Sequence, residues 1–167
     1  MDCPVCSSPA CGLETLIENV SATDYNLLVS LACDFADHVA QRAKNPDQAT
    51  EWLEVARAWS TSPEQVRGAL DAAWEVVTNQ GSRNTQEKAD TAVWTAIEAA
   101  AAAAQGKEAR PVAAWTRSCA QWAIAAMGKG RGQEAAWQLN HIRRLACTCQ
   151  IKVDPIGSRS RNSLLAS

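Results

Sequence analysis

The amino-acid sequence predicts an all-α protein, a bundle or short array of antiparallel helical hairpins with six or seven helices. Three observations predict it. Apolar residues recur at the three-or-four spacing that lines one face of a helix, from Thr23 to about Cys149. Caps, prolines and glycines fall between the periodic stretches, where helices start and stop. No stretch alternates with period two for long enough to compete as a strand.

The elements follow in order. Residues 13 to 22 have room for a short helix. Asp24 caps the next, whose stripe is Leu28, Leu31, Ala32, Phe35 and Val39 and which ends near Lys44. Asn45-Pro46 places a capping side chain before a proline whose missing N–H costs nothing at a first helical position, and Trp52, Val55, Ala56 and Trp59 follow. Ser62-Pro63 repeats the device ahead of Val66, Ala69, Leu70, Ala73, Trp74 and Val77, with Gly81 as the stop. A helix from about Thr85 runs through Ala89, Val93, Trp94 and Ile97 into six alanines, 99 to 104, a face that lets a neighbour approach closely. Pro111 opens a helix with Val112, Trp115, Cys119 and Trp122. The last, from about Gln133, carries Ala135, Leu139, Ile142, Ala146 and Cys149. The chain thus divides into a Cys-rich segment, 1–22, a helical domain, 23–150, and a flexible tail, 151–167, in which no period persists. Loops of two to eight residues make successive helices antiparallel neighbours.

Seven tryptophans stand beside one Phe and one Tyr. With alanine so frequent, indoles are expected to plug a core otherwise lined by methyl groups, each removing a large apolar area at about 25 cal/mol per Å². Trp52, near a helix start, is the one expected to keep an open edge. Positions 52, 59 and 74 and positions 115, 122 and 137 share gaps of seven and fifteen, and a shift of 63 residues aligns them, as an internal duplication or a coincidence would.

The seven cysteines are an odd number, and neither a secretory leader nor a spanning segment is visible, so a cytoplasmic location with reduced thiols is expected. Cys3-Pro-Val-Cys6 has zinc-knuckle spacing and needs two more ligands; Cys11 is one candidate, and Cys147 with Cys149 could complete a structural zinc site stapling the chain ends. The competing account is ordinary packed or exposed thiols, and Cys33 and Cys119 are expected in the core. His38 and His141 belong to no HExxH or G-x-S-x-G motif. Both are expected on solvated polar faces, and with no nucleophile–base pair in view the chain is read as non-enzymatic.

Charge is distributed unevenly. Residues 1–106 hold six Lys/Arg against fifteen Asp/Glu, residues 107–167 ten against three. Asp34, Asp37, Glu51 and Glu54 could meet a basic protein partner. Alternatively, Lys129, Arg131, Arg143 and Arg144 could contact phosphates in a nucleoprotein assembly. A third account sets the two halves against each other within one domain.

From "ACDFADHV" through "ATEWLEVARAW" to "VRGALDAAW", and again at "EAAWQLNHIRRL", the chain resembles a family of bacterial immunity proteins associated with polymorphic toxin systems, over residues 27 to 145. The cysteine-rich ends lie outside it, and no functional residue is carried over. The resemblance implies a non-enzymatic helical domain that neutralises a toxin by covering it.

Overall fold

The computed structural model describes residue 17, residues 25–106 and residues 108–157, with side chains as far as Leu145. The short helix expected at 13–22, apart from Ile17, and cysteines Cys3, Cys6 and Cys11 lie outside these residues, as do the side chains of Cys147 and Cys149. Six α-helices and no strand are present among the described residues. They are α1 (Tyr25–Val39), α2 (Pro46–Arg57), α3 (Pro63–Gln80), α4 (Thr85–Ala104), α5 (Ala109–Ala126) and α6 (Arg131–Gly157). Single 3-10 turns follow α1, at Ala40–Arg42, and precede α6, at Gly128–Gly130.

The helix starts show which local signals form bonds. Asn45 Oδ1 accepts from the Gln48 N–H at 3.2 Å, with Pro46 at the first helical position. Ser62 occupies the same place before Pro63, yet its side chain makes no capping bond. The strongest start is at α4, where Asn84 Oδ1 accepts from the Glu87 N–H at 2.8 Å. Glu87 Oε1 reaches back to the Arg83 and Asn84 N–H groups at 2.8 and 3.2 Å, closing a capping box. Helix α5 starts at Ala109, two residues ahead of Pro111, because a proline in the first turn removes no intrahelical bond. Gly81 stops α3 at φ +98°, a conformation that a side chain would strain. Helix α6 runs to Gly157, past position 150 where the apolar period in the sequence fades.

Helix α4 is the hub. It packs against α1, α2, α3 and α5, and α5 also packs on α1. Ala89, Ala92, Ala96, Ala99 and Ala100 of α4 are wholly buried, so helices close on it from several sides with only methyl groups between backbones. Larger apolar side chains fill the remaining space: Leu28, Leu31 and Phe35 of α1, Leu53 of α2, Ile97 of α4 and Ile142 of α6. Close approach also brings backbone carbonyls within reach of small polar groups. Thr116 Oγ1 donates to the Leu28 carbonyl, and Cys119 Sγ lies 3.2 and 3.3 Å from the carbonyls of Ala32 and Ala92, joining α5 to α1 and α4. Cys33 and Cys119 are buried free thiols, as expected. Burial pushes Cys33 up to about 12 and raises Cys119 further, so neither is a thiolate near neutrality.

The indoles do not plug this core. No tryptophan is fully buried; Trp52, Trp59, Trp94, Trp115, Trp122 and Trp137 lie half-buried against its edge, and Trp74 is 50% exposed. An indole is too bulky for gaps set by alanine, so it packs where adjacent helices splay apart at the surface.

Two outcomes follow from this architecture. Ala96→Leu on α4 is expected to destabilise by about 1–3 kcal/mol, since a wholly buried methyl site has no room for three more carbons; urea unfolding measures it. The N–H groups of Arg83 and then Asn84 hold the Glu87 carboxyl below its ordinary value of 4.5, so its contribution is present above that pH and lost as pH falls through the lowered folded value. Glu87→Gln should flatten the acid limb of the stability profile below pH 4.5, read by thermal melts across pH.

Candidate functional site

Two side-chain constellations outside the core were candidates for function. The first lies between α1 and α6. Glu134, Trp137, Gln138 and His141 fall at i, i+3, i+4 and i+7 on one face of α6, and Asp34 and His38 at i and i+4 on α1. The Trp137 ring stacks between the imidazoles of His38 and His141, with centroid separations of 3.8 and 5.0 Å. Each imidazole holds a carboxylate across the seam. His38 Nδ1 lies 2.7 Å from Glu134 Oε1, and His141 Nε2 lies 2.7 Å from Asp34 Oδ2.

Donor and acceptor chemistry fixes the second pair. Arg144 can only donate, so His141 Nδ1, 3.0 Å from Arg144 Nη2, accepts, and Nε2–H donates to Asp34. The charge of Asp34 is met instead by Arg57 Nη1 at 2.8 Å. Burial works against the Arg57 guanidinium, but the Asp34 hydrogen bond and nearby negative groups outweigh it and raise its pKa. Glu134 is 1% exposed, and its second oxygen accepts from Gln138 Nε2, which also donates to the Ala120 carbonyl of α5. Gln138 Oε1 is buried without a partner among the described residues.

This seam fastens rather than opens. The α6 backbone packs on α5, and a layer of aromatic and paired polar groups carries α6 across to α1. His38 is an imidazole oriented by a buried carboxylate, an arrangement able to move a proton, but none of the described cavities is lined by it or by His141.

The second constellation crosses three helices. Trp74 of α3 lies 5.0 Å from Trp94 of α4, which meets Trp115 of α5 edge to face at 5.4 Å. Trp94 Nε1 is buried without a hydrogen-bond partner among the described residues. Trp74 is therefore a half-exposed indole backed by Trp94, which Trp115 supports in turn. On the same hairpin, α2 and α3 expose Asp47, Glu51, Glu54, Glu64, Asp71 and Glu75 against Arg67 and the engaged Arg57.

No family model, curated protein or solved structure matches this chain. Its site therefore rests on its own geometry.

The residues singled out in the sequence are distributed as follows. Glu51 and Glu54 are exposed on α2 and Asp37 on α1, with no ion pair among the described residues, whereas Asp34 is drawn into the seam. Lys129 and Arg131 are exposed where α6 begins. Arg143 and Arg144 lie twelve or more residues along, roughly 18 Å at 1.5 Å per residue, so the four do not form one compact patch. Cys3 and Cys6, and the side chains of Cys147 and Cys149, fall outside the described residues, so the zinc expectation is carried by the sequence alone. Among the described residues no group of three or more His, Cys, Asp or Glu is placed to hold a metal. No described helix is long and apolar enough to cross a membrane. Both histidines are expected on solvated faces, and His38 does keep an exposed edge while His141 is largely covered; the polar stripe of α6 and the i, i+4 pair on α1 carried the signal of their pairing, but a paired polar face and a wet one look alike without their neighbours.

His38→Ala should destabilise by about 1–3 kcal/mol, because it leaves a buried carboxylate short of its donor. Urea denaturation gives the change, with an unaltered m-value showing that the bundle itself persists.

Proposed function

We propose that the chain is a non-enzymatic protein-binding domain whose docking face is the α2–α3 hairpin, with Trp74 as anchor. The observation that carries this reading is the half-exposed Trp74 indole, packed against Trp94, which is in turn met by Trp115. A large aromatic side chain kept at the surface and already immobilised loses little entropy on binding, and such residues dominate interface energies. Asp71 and Glu75, exposed within one helical turn of it, favour a basic partner surface with an apolar recess for the indole, and would speed association at low ionic strength. The resemblance to immunity proteins supports a specific version, in which the partner is a basic toxin such as a nuclease and inhibition comes from covering it. A nucleic-acid role for Lys129, Arg131, Arg143 and Arg144 is the second reading; it has the basic C-terminal half in its support and lacks a compact patch.

The test is co-purification from the native host, identification of the bound protein, and titration of that protein, purified, with the wild-type chain and Trp74→Ala. A tenfold or greater loss of affinity, about 1.4 kcal/mol, is expected with unchanged thermal stability. Equal affinity of the variant would remove Trp74 from the interface, and the absence of any protein partner alongside salt-sensitive binding of DNA or RNA would favour the second reading.

A further inference from the structure

A groove at the meeting of α2, α3 and α4 has the features of a small-molecule site. Its deeper part is a cavity of about 310 Å³, with the Trp52 indole and Val76 as walls. It adjoins a second cavity of about 270 Å³, which shares Trp52 and Val76 and adds Glu75, Asn79 and Gln80. Volumes of this size suit ligands of a few heavy atoms. Asp90 of α4 lines the deeper part and is 9% exposed, whereas Lys44 and Gln48 at its edge are exposed.

The chemistry of the groove is set by Asp90. Its Oδ1 accepts from the Lys44 backbone N–H at 3.1 Å and its Oδ2 from Gln80 Nε2 at 2.7 Å. Both donors are neutral, and among the described residues no Lys, Arg or His side chain forms an ion pair with it. Two bonds use about half of the four acceptor positions a carboxylate offers. They tie the loop before α2 and the end of α3 to α4, but an asparagine would make both ties after one amide flip of Gln80. The negative charge is therefore surplus to the tie, and a buried charge without a counter-ion is costly to keep. The Trp52 indole lines the same cavity, and an indole is the aromatic group that attracts cations most strongly. An anion would have to sit against a fixed carboxylate, with one flexible rim lysine as its only charged partner.

We propose that this groove binds an organic cation, an ammonium or guanidinium on a short apolar stem, with the charged head on Asp90 and the stem against Trp52 and Val76. Lys44, whose backbone positions Asp90 while its ammonium remains at the rim, limits affinity by repulsion. The site stands whether or not Trp74 anchors a partner. A free amine or guanidine and a Lys or Arg side chain of a bound protein present the same head and stem.

Calorimetric titration of the full chain at fixed ionic strength tests this with butylguanidinium and butylammonium as probes and butyrate as the anionic control. Saturable one-site binding of the cations is expected, with none of butyrate. Asp90→Asn should weaken cation binding by about tenfold or more, the effect of losing a charged hydrogen-bond partner. Lys44→Met, which keeps the aliphatic stem and removes the charge, should tighten it. Trp52→Leu should weaken binding and abolish the part of the fluorescence change that the probe causes in the wild type, which keeps the test decisive if Asp90→Asn folds poorly. A blocked Ala-Arg-Ala peptide that binds as well as butylguanidinium assigns the site to a partner's side chain; exclusion of the peptide assigns it to a free ion. The proposal is overturned if the cations give no saturable signal, if butyrate binds and Lys44→Met weakens it, or if Asp90→Asn and Trp52→Leu both bind the cations undiminished.

Discussion

The structure depends on how closely helices approach α4. Its buried alanines put only a methyl group between neighbouring backbones, and α1, α2, α3 and α5 all pack on it. Dispersion contacts accumulate at that spacing even though each alanine contributes little hydrophobic area. The same spacing lets Thr116 and Cys119 of α5 reach main-chain carbonyls on α1 and α4, bonds that longer side chains would hold out of range. It also excludes the indoles, which become a rim of wide, half-buried surfaces around a narrow core. A chain that spends its aromatic residues on the rim has them available for recognition.

Helix α6 is held by different physics. Its backbone packs on α5, while a layer made of an indole between two imidazoles, each imidazole paired with a carboxylate, takes it across to α1. Hydrogen bonds of this kind add modest net stability but fix registry, because a slip of one residue leaves Glu134 buried without its donors. The layer also determines which charges remain at the surface. Asp34 is committed to the seam, and Arg57 and Arg144, though exposed, are paired at its edge, so α2 and α3 carry most of the acidic residues left exposed without a paired cation.

Local signals and tertiary environment were not equally legible. Asn45-Pro46 reads as a helix start and acts as one, and the stop at Gly81 has the positive φ that its residue type suggests. Asn84 and Glu87 carry the strongest cap, and their N-x-x-E pattern stands in the sequence although the apolar period that marks the helix begins only at Ala89. Ser62 has the right residue type and makes no bond; its backbone, at φ −139° and ψ 63°, lies outside the extended region that the bonded caps Asn45 and Asn84 occupy. Positions 74 and 137 match under the 63-residue shift, yet Trp74 is half in solvent against another indole and Trp137 is clasped by two histidines. Equal helix phase does not confer equal surroundings.

By itself the sequence determined the helices, their order and the buried alanine face, because these follow from side-chain period and backbone propensity within a single segment. Only the tertiary structure decided which polar residues are spent holding the bundle together and which remain to act. His38 meets Glu134 across 96 residues and Asp34 meets His141 across 107. Such pairings depend on where separate helices come to rest, and no local pattern specifies that.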